Sequence, residues 1–154
     1  MGDVHAPGHR ALRHGRHSVP SCCYLLTTAT WQRRAVFADW GLAATACRAF
    51  TAATPSDATL LAWVLMPDHA HFLMQLGHVA VLADAVSRME ACSARAVNVQ
   101  RQSSAPVWGR SYHDHALRTD DDLRVAARYI VANPLRAGLV TRIGDYPFWN
   151  AVWL

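Results

Sequence analysis

Two histidines separated by a single residue, His69 and His71, and a tyrosine four residues before an asparagine, Tyr129 and Asn133, are the side chains whose types and spacing could do chemistry here. The histidines lie in the stretch from Leu61 to Leu76, two apolar runs about a Pro67-Asp68 turn, which reads as a β-hairpin. Side chains alternate across a strand, so His69 and His71 share a face with Leu73 and Gln75. Ala70, Phe72, Met74 and Leu76 then form an apolar face that something must cover. Two imidazoles side by side on a sheet face could hold a divalent cation; the plainer alternative is a pair of ordinary surface or half-buried histidines. Tyr129 and Asn133 share one helix face, with Arg124 and Arg128 close to the tyrosine in sequence. A tyrosine among arginines and near a metal could attack phosphorus once deprotonated; a tyrosine that only packs is the alternative.

The elements that must position these groups follow from periodicity and punctuation. Cys23 to Thr30 is β-prone and reads as a central strand. Asp39 to Ala52 is Ala-rich, with Leu42, Ala46, Ala49 and Phe50 at helical spacing, and Pro55 ends it. A second amphipathic helix runs from Val81 to Val99 through Val86, Met89, Ala96 and Val97. A loop from Arg101 to Pro106 leads into a short strand within Val107 to Leu117. Thr119 followed by Asp120, Asp121 and Asp122 marks a helix N-terminus, its acids favoured by the helix dipole. That helix should run to Asn133, because the residue before Pro134 is disfavoured in helical conformation. Gly138 closes a turn, and the aromatic stretch from Asp145 to Leu154 should pack back on the domain. The order β-α-β-β-α-β plus a further helix predicts an α+β fold: a ferredoxin-like antiparallel sheet with helices on one face. Those helices would cover the Phe72/Met74 face and leave the histidine face partly open, a surface on which nucleic acid could lie.

The whole chain is consistent with this plan. Its 154 residues suit one domain with a real core, and 52% of them are hydrophobic. No apolar run reaches the ~18 residues that span a bilayer, and the polar N-terminus carries no apolar leader segment, so a cytoplasmic, nucleoid-associated protein is expected with no membrane partner. Cys22, Cys23, Cys47 and Cys92 form no C-x-x-C pair, which argues against a zinc ribbon or a disulfide framework. The net charge is +4, and all 15 basic residues are Arg. Guanidinium forks match phosphate oxygens; replacement of Lys codons by Arg codons would explain the absence of Lys but not the positive excess. Residues 1–20 read as a basic arm carrying Arg10, Arg13 and Arg16, with a catalytic domain over 21–154. The loop pair Arg33 and Arg34 could meet phosphates or simply solvate a turn.

The stretch Pro67-Asp-His-Ala-His71, together with Ala127-Arg-Tyr-Ile-Val-Ala-Asn-Pro-Leu-Arg-Ala-Gly-Leu-Val140, resembles the signatures of the REP-associated tyrosine transposases, relatives of the HUH single-strand transposases of insertion sequences. The resemblance runs on through Arg33-Arg34, Trp63 to Met66, Ser93 to Arg95, Tyr112 to Arg118 and Gly144 to Pro147, and so covers nearly the whole chain from about Leu12. It implies a metal-dependent DNA transposase, a single-strand endonuclease and strand transferase acting through a 5′-phosphotyrosine. By that resemblance His69 and His71 ligate a divalent cation, Asn133 supplies a third, amide ligand, and Tyr129 is the nucleophile. The implied partner is single-stranded DNA folded as REP-like hairpins, with Arg10, Arg13, Arg16, Arg33, Arg34, Arg95, Arg118, Arg124 and Arg128 as candidate contacts. The implied metal is Mg²⁺ or Mn²⁺; imidazole ligands make Mn²⁺ the easier guest. The sequence departs from the pattern at Trp31, where a His is expected, at Gly109-Arg-Ser, and in lacking a Lys before Ser93. A water-using phosphodiesterase and a non-catalytic hairpin binder are the competing readings, and a monomer and a homodimer are both open.

Overall fold

The computed structural model describes residues 22–153. Five antiparallel strands, β1 (Cys23–Thr30), β2 (Ala58–Leu65), β3 (His69–Leu76), β4 (Trp108–Leu117) and β5 (Trp149–Ala151), form one sheet in the order β4-β1-β3-β2-β5. The first four keep the order expected of a ferredoxin-like plan, and the fifth extends it at the β2 edge. Four helices accompany the sheet: α1 (Trp40–Ala53), α2 (Leu82–Arg101), α3 (Asp120–Val131) and α4 (Asn133–Arg136). Among the described residues no helix is long and apolar enough to cross a membrane. The basic arm expected over residues 1–20, with Arg10, Arg13 and Arg16, lies outside the described residues.

Local chemistry sets several element ends. Asp39 caps α1, its carboxylate accepting from the backbone N–H of Gly41 and Leu42, and the Thr119 hydroxyl caps α3 by accepting from Asp122 N–H. The β2–β3 hairpin turns on Pro67-Asp68, closed by Met66 N–H donating to His69 O at 2.8 Å. Ala70, Met74 and Leu76 are at most 1% exposed and Phe72 is 6% exposed, so the apolar face of β3 is covered as its alternation requires. The cover is α1 and α2: the Phe50 ring meets Phe72 and Trp63 edge-on, each at 5.0 Å.

Helices on one face describe only α1 and α2. The third long helix packs on the opposite, histidine face, over β2, β3 and β5. Its buried stripe of Ala126, Ala127, Ile130 and Val131 needs a partner, and Val64 and Leu73, both 0% exposed, belong to the face it covers. The helix expected to reach Asn133 stops at Val131, and Asn133 begins α4 with Pro134 in its first turn, where a missing N–H costs nothing. The expected short strand is a full ten residues in β4, β2 begins at Ala58 rather than Leu61, and the aromatic tail becomes a strand, Val64 pairing with Trp149.

Candidate active site

Strand β3 delivers His69 and His71 to one face, their ring centroids 4.9 Å apart and nearly perpendicular at 80°. Each Nδ1 already has a partner. His69 Nδ1 lies 2.7 Å from Asp68 Oδ1, and His71 Nδ1 lies 2.8 Å from Thr27 Oγ1, on the neighbouring strand where Thr27 stands opposite His71. Both Nε2 atoms are therefore left for another ligand. Burial, with help from His69, Arg136 and Arg33, pushes the His71 imidazole down to about 4, so it is neutral near pH 7 and keeps a lone pair. A pair of imidazoles on a rigid strand is a donor set that suits a divalent cation. Among the described residues no cluster of three His, Cys, Asp or Glu side chains surrounds them, so the remaining ligands would come from an amide, water or substrate oxygen.

Helix α3 brings Tyr129 to the same face. Its ring centroid is 6.4 Å from that of His71, and it remains 53% exposed. The Arg136 guanidinium stacks on it at 3.8 Å, and Arg136 Nη2 donates to the Tyr129 carbonyl at 2.7 Å, spanning the break between α3 and α4. Asn133 is half-buried at the start of α4; its side chain makes no hydrogen bond to either imidazole among the described residues. Arg33 reaches the site through Asp68, with Nη2 3.3 Å from Oδ2. Arg34 is exposed and donates to the Gln32 side chain.

The remaining candidate arginines are not gathered at the imidazoles. Arg124 and Arg128 are exposed along α3, where they line a groove of about 390 Å³ with Leu135, Ile143 and Trp153. Arg118 follows the end of β4 that pairs with Cys23, whereas His69 pairs with Ala29 at the other end of β1. Arg95 is exposed on α2, on the far side of the sheet. His113 pairs with Thr27 and so shares the histidine face, two strands from His71 with β1 between them. Trp31, which replaces an expected His, holds the Arg110 guanidinium 5.5 Å from its ring.

Three contributors were not singled out from the sequence. Asp68 had a signal, standing next to His69. Arg136 had a weaker one, two turns beyond Tyr129 and past a proline. Thr27 had none, because cross-strand register is not written in any one segment.

The five-stranded antiparallel α+β architecture agrees with what similarity defines. Residues 18–133 match the family described as "Transposase IS200 like", and the chain belongs to that family. Within it the resemblance narrows to REP-associated tyrosine transposases. The chain is 32% identical over 94 residues to one named so in Haemophilus influenzae, a match covering 54% of this chain and 53% of that protein. It is 29% identical over 92 residues to another from Escherichia coli, covering 56% of this chain and 50% of that protein. The chain thus spans about half the length of these relatives. The solved structure of a REP-associated tyrosine transposase bound to a REP hairpin shares the fold, with a TM-score of 0.67 at 20% identity over 87% of this chain and 79% of that one. A Deinococcus radiodurans protein named as a transposase superposes with a TM-score of 0.50 at 25% identity, over 77% of this chain and 95% of that one.

Proposed function

We propose that the chain is a metal-dependent tyrosine transposase that nicks and rejoins single-stranded DNA of the REP-hairpin type through a 5′-phosphotyrosine link. The observation that carries this reading is the meeting of His71 and Tyr129 on one sheet face of one chain, 6.4 Å between ring centroids, in a member of a transposase family. In this reading His69 and His71 hold a divalent cation, Mg²⁺ or Mn²⁺, with Asn133 as a third ligand. When bound, the cation polarises the scissile phosphate and stabilises charge on its oxygens.

The chain's own groups do the rest. The Tyr129 oxygen attacks phosphorus; a tyrosine O–P bond forms, the P–O3′ bond breaks, and the proton given up by the phenol is balanced by the one the released 3′-hydroxyl takes up. Arg136, stacked on the ring, limits where the phenol oxygen can travel. The covalent link keeps the phosphodiester energy, so a 3′-hydroxyl can later reseal the strand without ATP. Arg33, Arg34, Arg124 and Arg128, together with the excess of positive charge, supply phosphate contacts. The fold neighbour with a bound REP hairpin supports this choice of substrate class.

The experiment is incubation with labelled REP-like hairpin DNA and Mn²⁺, followed by a denaturing gel. A retarded covalent band with the native chain, absent in Tyr129→Phe, is the expected result. Cleavage that survives Tyr129→Phe without an adduct would make water the nucleophile, and binding without cleavage would make the chain a hairpin binder.

A further inference from the structure

The imidazole pair is held unequally, and the difference lies in Asp68. The Thr27 hydroxyl beside His71 can either donate or accept, so it leaves that ring's tautomer open. An ionised carboxylate only accepts. Asp68 Oδ1, 2.7 Å from His69 Nδ1, therefore requires the proton on Nδ1, so that in the neutral ring the lone pair is on Nε2. The other carboxylate oxygen faces Arg33 Nη2 at 3.3 Å. With both oxygens engaged, Asp68 is a support for the site rather than a further ligand in it.

Arg33 reaches Asp68 from an unusual backbone. Gln32 and Arg33 both have φ of 55°, the left-handed region that non-glycine residues seldom occupy. The surrounding structure bolts this turn to the hairpin turn. Thr30 N–H donates to Asp68 O at 2.9 Å, the Thr30 hydroxyl donates to Arg34 O at 2.6 Å, and Phe37 N–H donates to Pro67 O at 3.0 Å. Trp31 N–H donates to Val107 O at 2.9 Å, fixing the turn's other side. A strained conformation that the frame over-determines, in a residue whose side chain lands beside a candidate ligand, is the pattern of a functional turn.

We propose that Asp68, clamped by Arg33 from this strained turn, is a positioning residue that locks His69 in the Nδ1–H tautomer and so dedicates its Nε2 to a divalent cation. The metal half of this inference rests on the function proposed above; the tautomer half does not. Carboxylate partners of ligating histidines typically change metal affinity 10–100-fold when removed.

The test reads the tautomer first, in metal-free protein without DNA. Long-range ¹H–¹⁵N spectra of ¹⁵N-histidine-labelled protein, with His69 assigned by its loss in His69→Gln, should show His69 as Nδ1–H. In Asp68→Ala it should move toward the Nε2–H form. Mn²⁺ titration should then show affinity falling roughly 10–100-fold in Asp68→Ala. Arg33→Gly separates positioning from folding: glycine relieves the left-handed strain, so Tm should hold or rise while Mn²⁺ affinity falls. His69 as Nε2–H in the native chain, an unchanged tautomer in Asp68→Ala, a native chain that binds no Mn²⁺, or Arg33→Gly that loses Tm but keeps Mn²⁺ affinity would each overturn the proposal. If these measurements come out as expected and no covalent DNA adduct forms, the positioning role stands and the transferase reading falls.

Discussion

The Arg136 guanidinium lies 3.8 Å above the Tyr129 ring and donates to the Tyr129 carbonyl, so one side chain grips both ends of the same residue. Tyr129 is 53% exposed and would otherwise sample several rotamers. A stack of this kind at an exposed site stabilises by about 0.5–1 kcal/mol. Arg136→Ala should therefore slow adduct formation roughly 2–5-fold through the share of unproductive rotamers, and Arg136→Lys should recover only part of the loss because it lacks the planar fork. Single-turnover adduct formation on REP-like DNA measures this; an unchanged rate in Arg136→Ala would remove the stack from the reaction.

Because His71 and Tyr129 meet within one chain, a single copy should carry a complete site. Mixing Tyr129→Phe with His71→Ala protein should then restore no adduct. Recovery of the covalent band in the mixture would mean that the tyrosine acts on the imidazole pair of a second copy.

Much of this site was legible because strand alternation and helix spacing are local rules. His69 and His71 had to share a face once the Pro67-Asp68 turn was read, and the apolar face behind them had to be covered. What escaped was set by chain segments far apart. The third helix crosses the histidine face because Ala126, Ile130 and their neighbours needed Val64 and Leu73, which no window of sequence joins. Thr27 reaches His71 only through the β1–β3 register. The three-residue β5 was too short for alternation to mark, and the Asn133-Pro134 break divided a helix whose 3.6-residue period had suggested one continuous face.

Away from the site, Gly77 lies where a side chain has no room. A Cβ there would come 2.0 Å from Asp57 Oδ1 and 2.8 Å from the Asp57 carbonyl oxygen. Asp57 cannot step aside cheaply, since its Oδ2 accepts from the N–H groups of Val79 and Ala80 and its carbonyl accepts from Gly77 N–H. Gly77→Ala should destabilise the chain by about 1–3 kcal/mol, read as a lower urea midpoint at unchanged slope. A midpoint equal to that of the native chain would show that the loop refolds around the methyl group.

A half-buried carboxylate gives the fold a pH dependence of its own. Glu90 on α2 faces a small apolar cavity lined by Leu26, Phe50, Phe72, Val86 and Met89. Burial raises its pKa, and the Thr28 hydroxyl, donating at 2.7 Å, offsets this only in part. A carboxyl whose folded pKa exceeds its unfolded value binds protons more readily when folded. Its contribution is fully present below the unfolded pKa near 4.5 and is lost as pH rises through the raised folded value. Glu90→Gln keeps an oxygen for Thr28 and removes the charge. It should raise Tm at pH 7 by roughly 2–4 °C for each kcal/mol recovered, with the gain vanishing as pH falls toward the unfolded pKa. Thermal melts of both proteins across pH 4–8 decide it, and a Tm difference that does not change with pH would show that the Glu90 charge is not what the fold opposes.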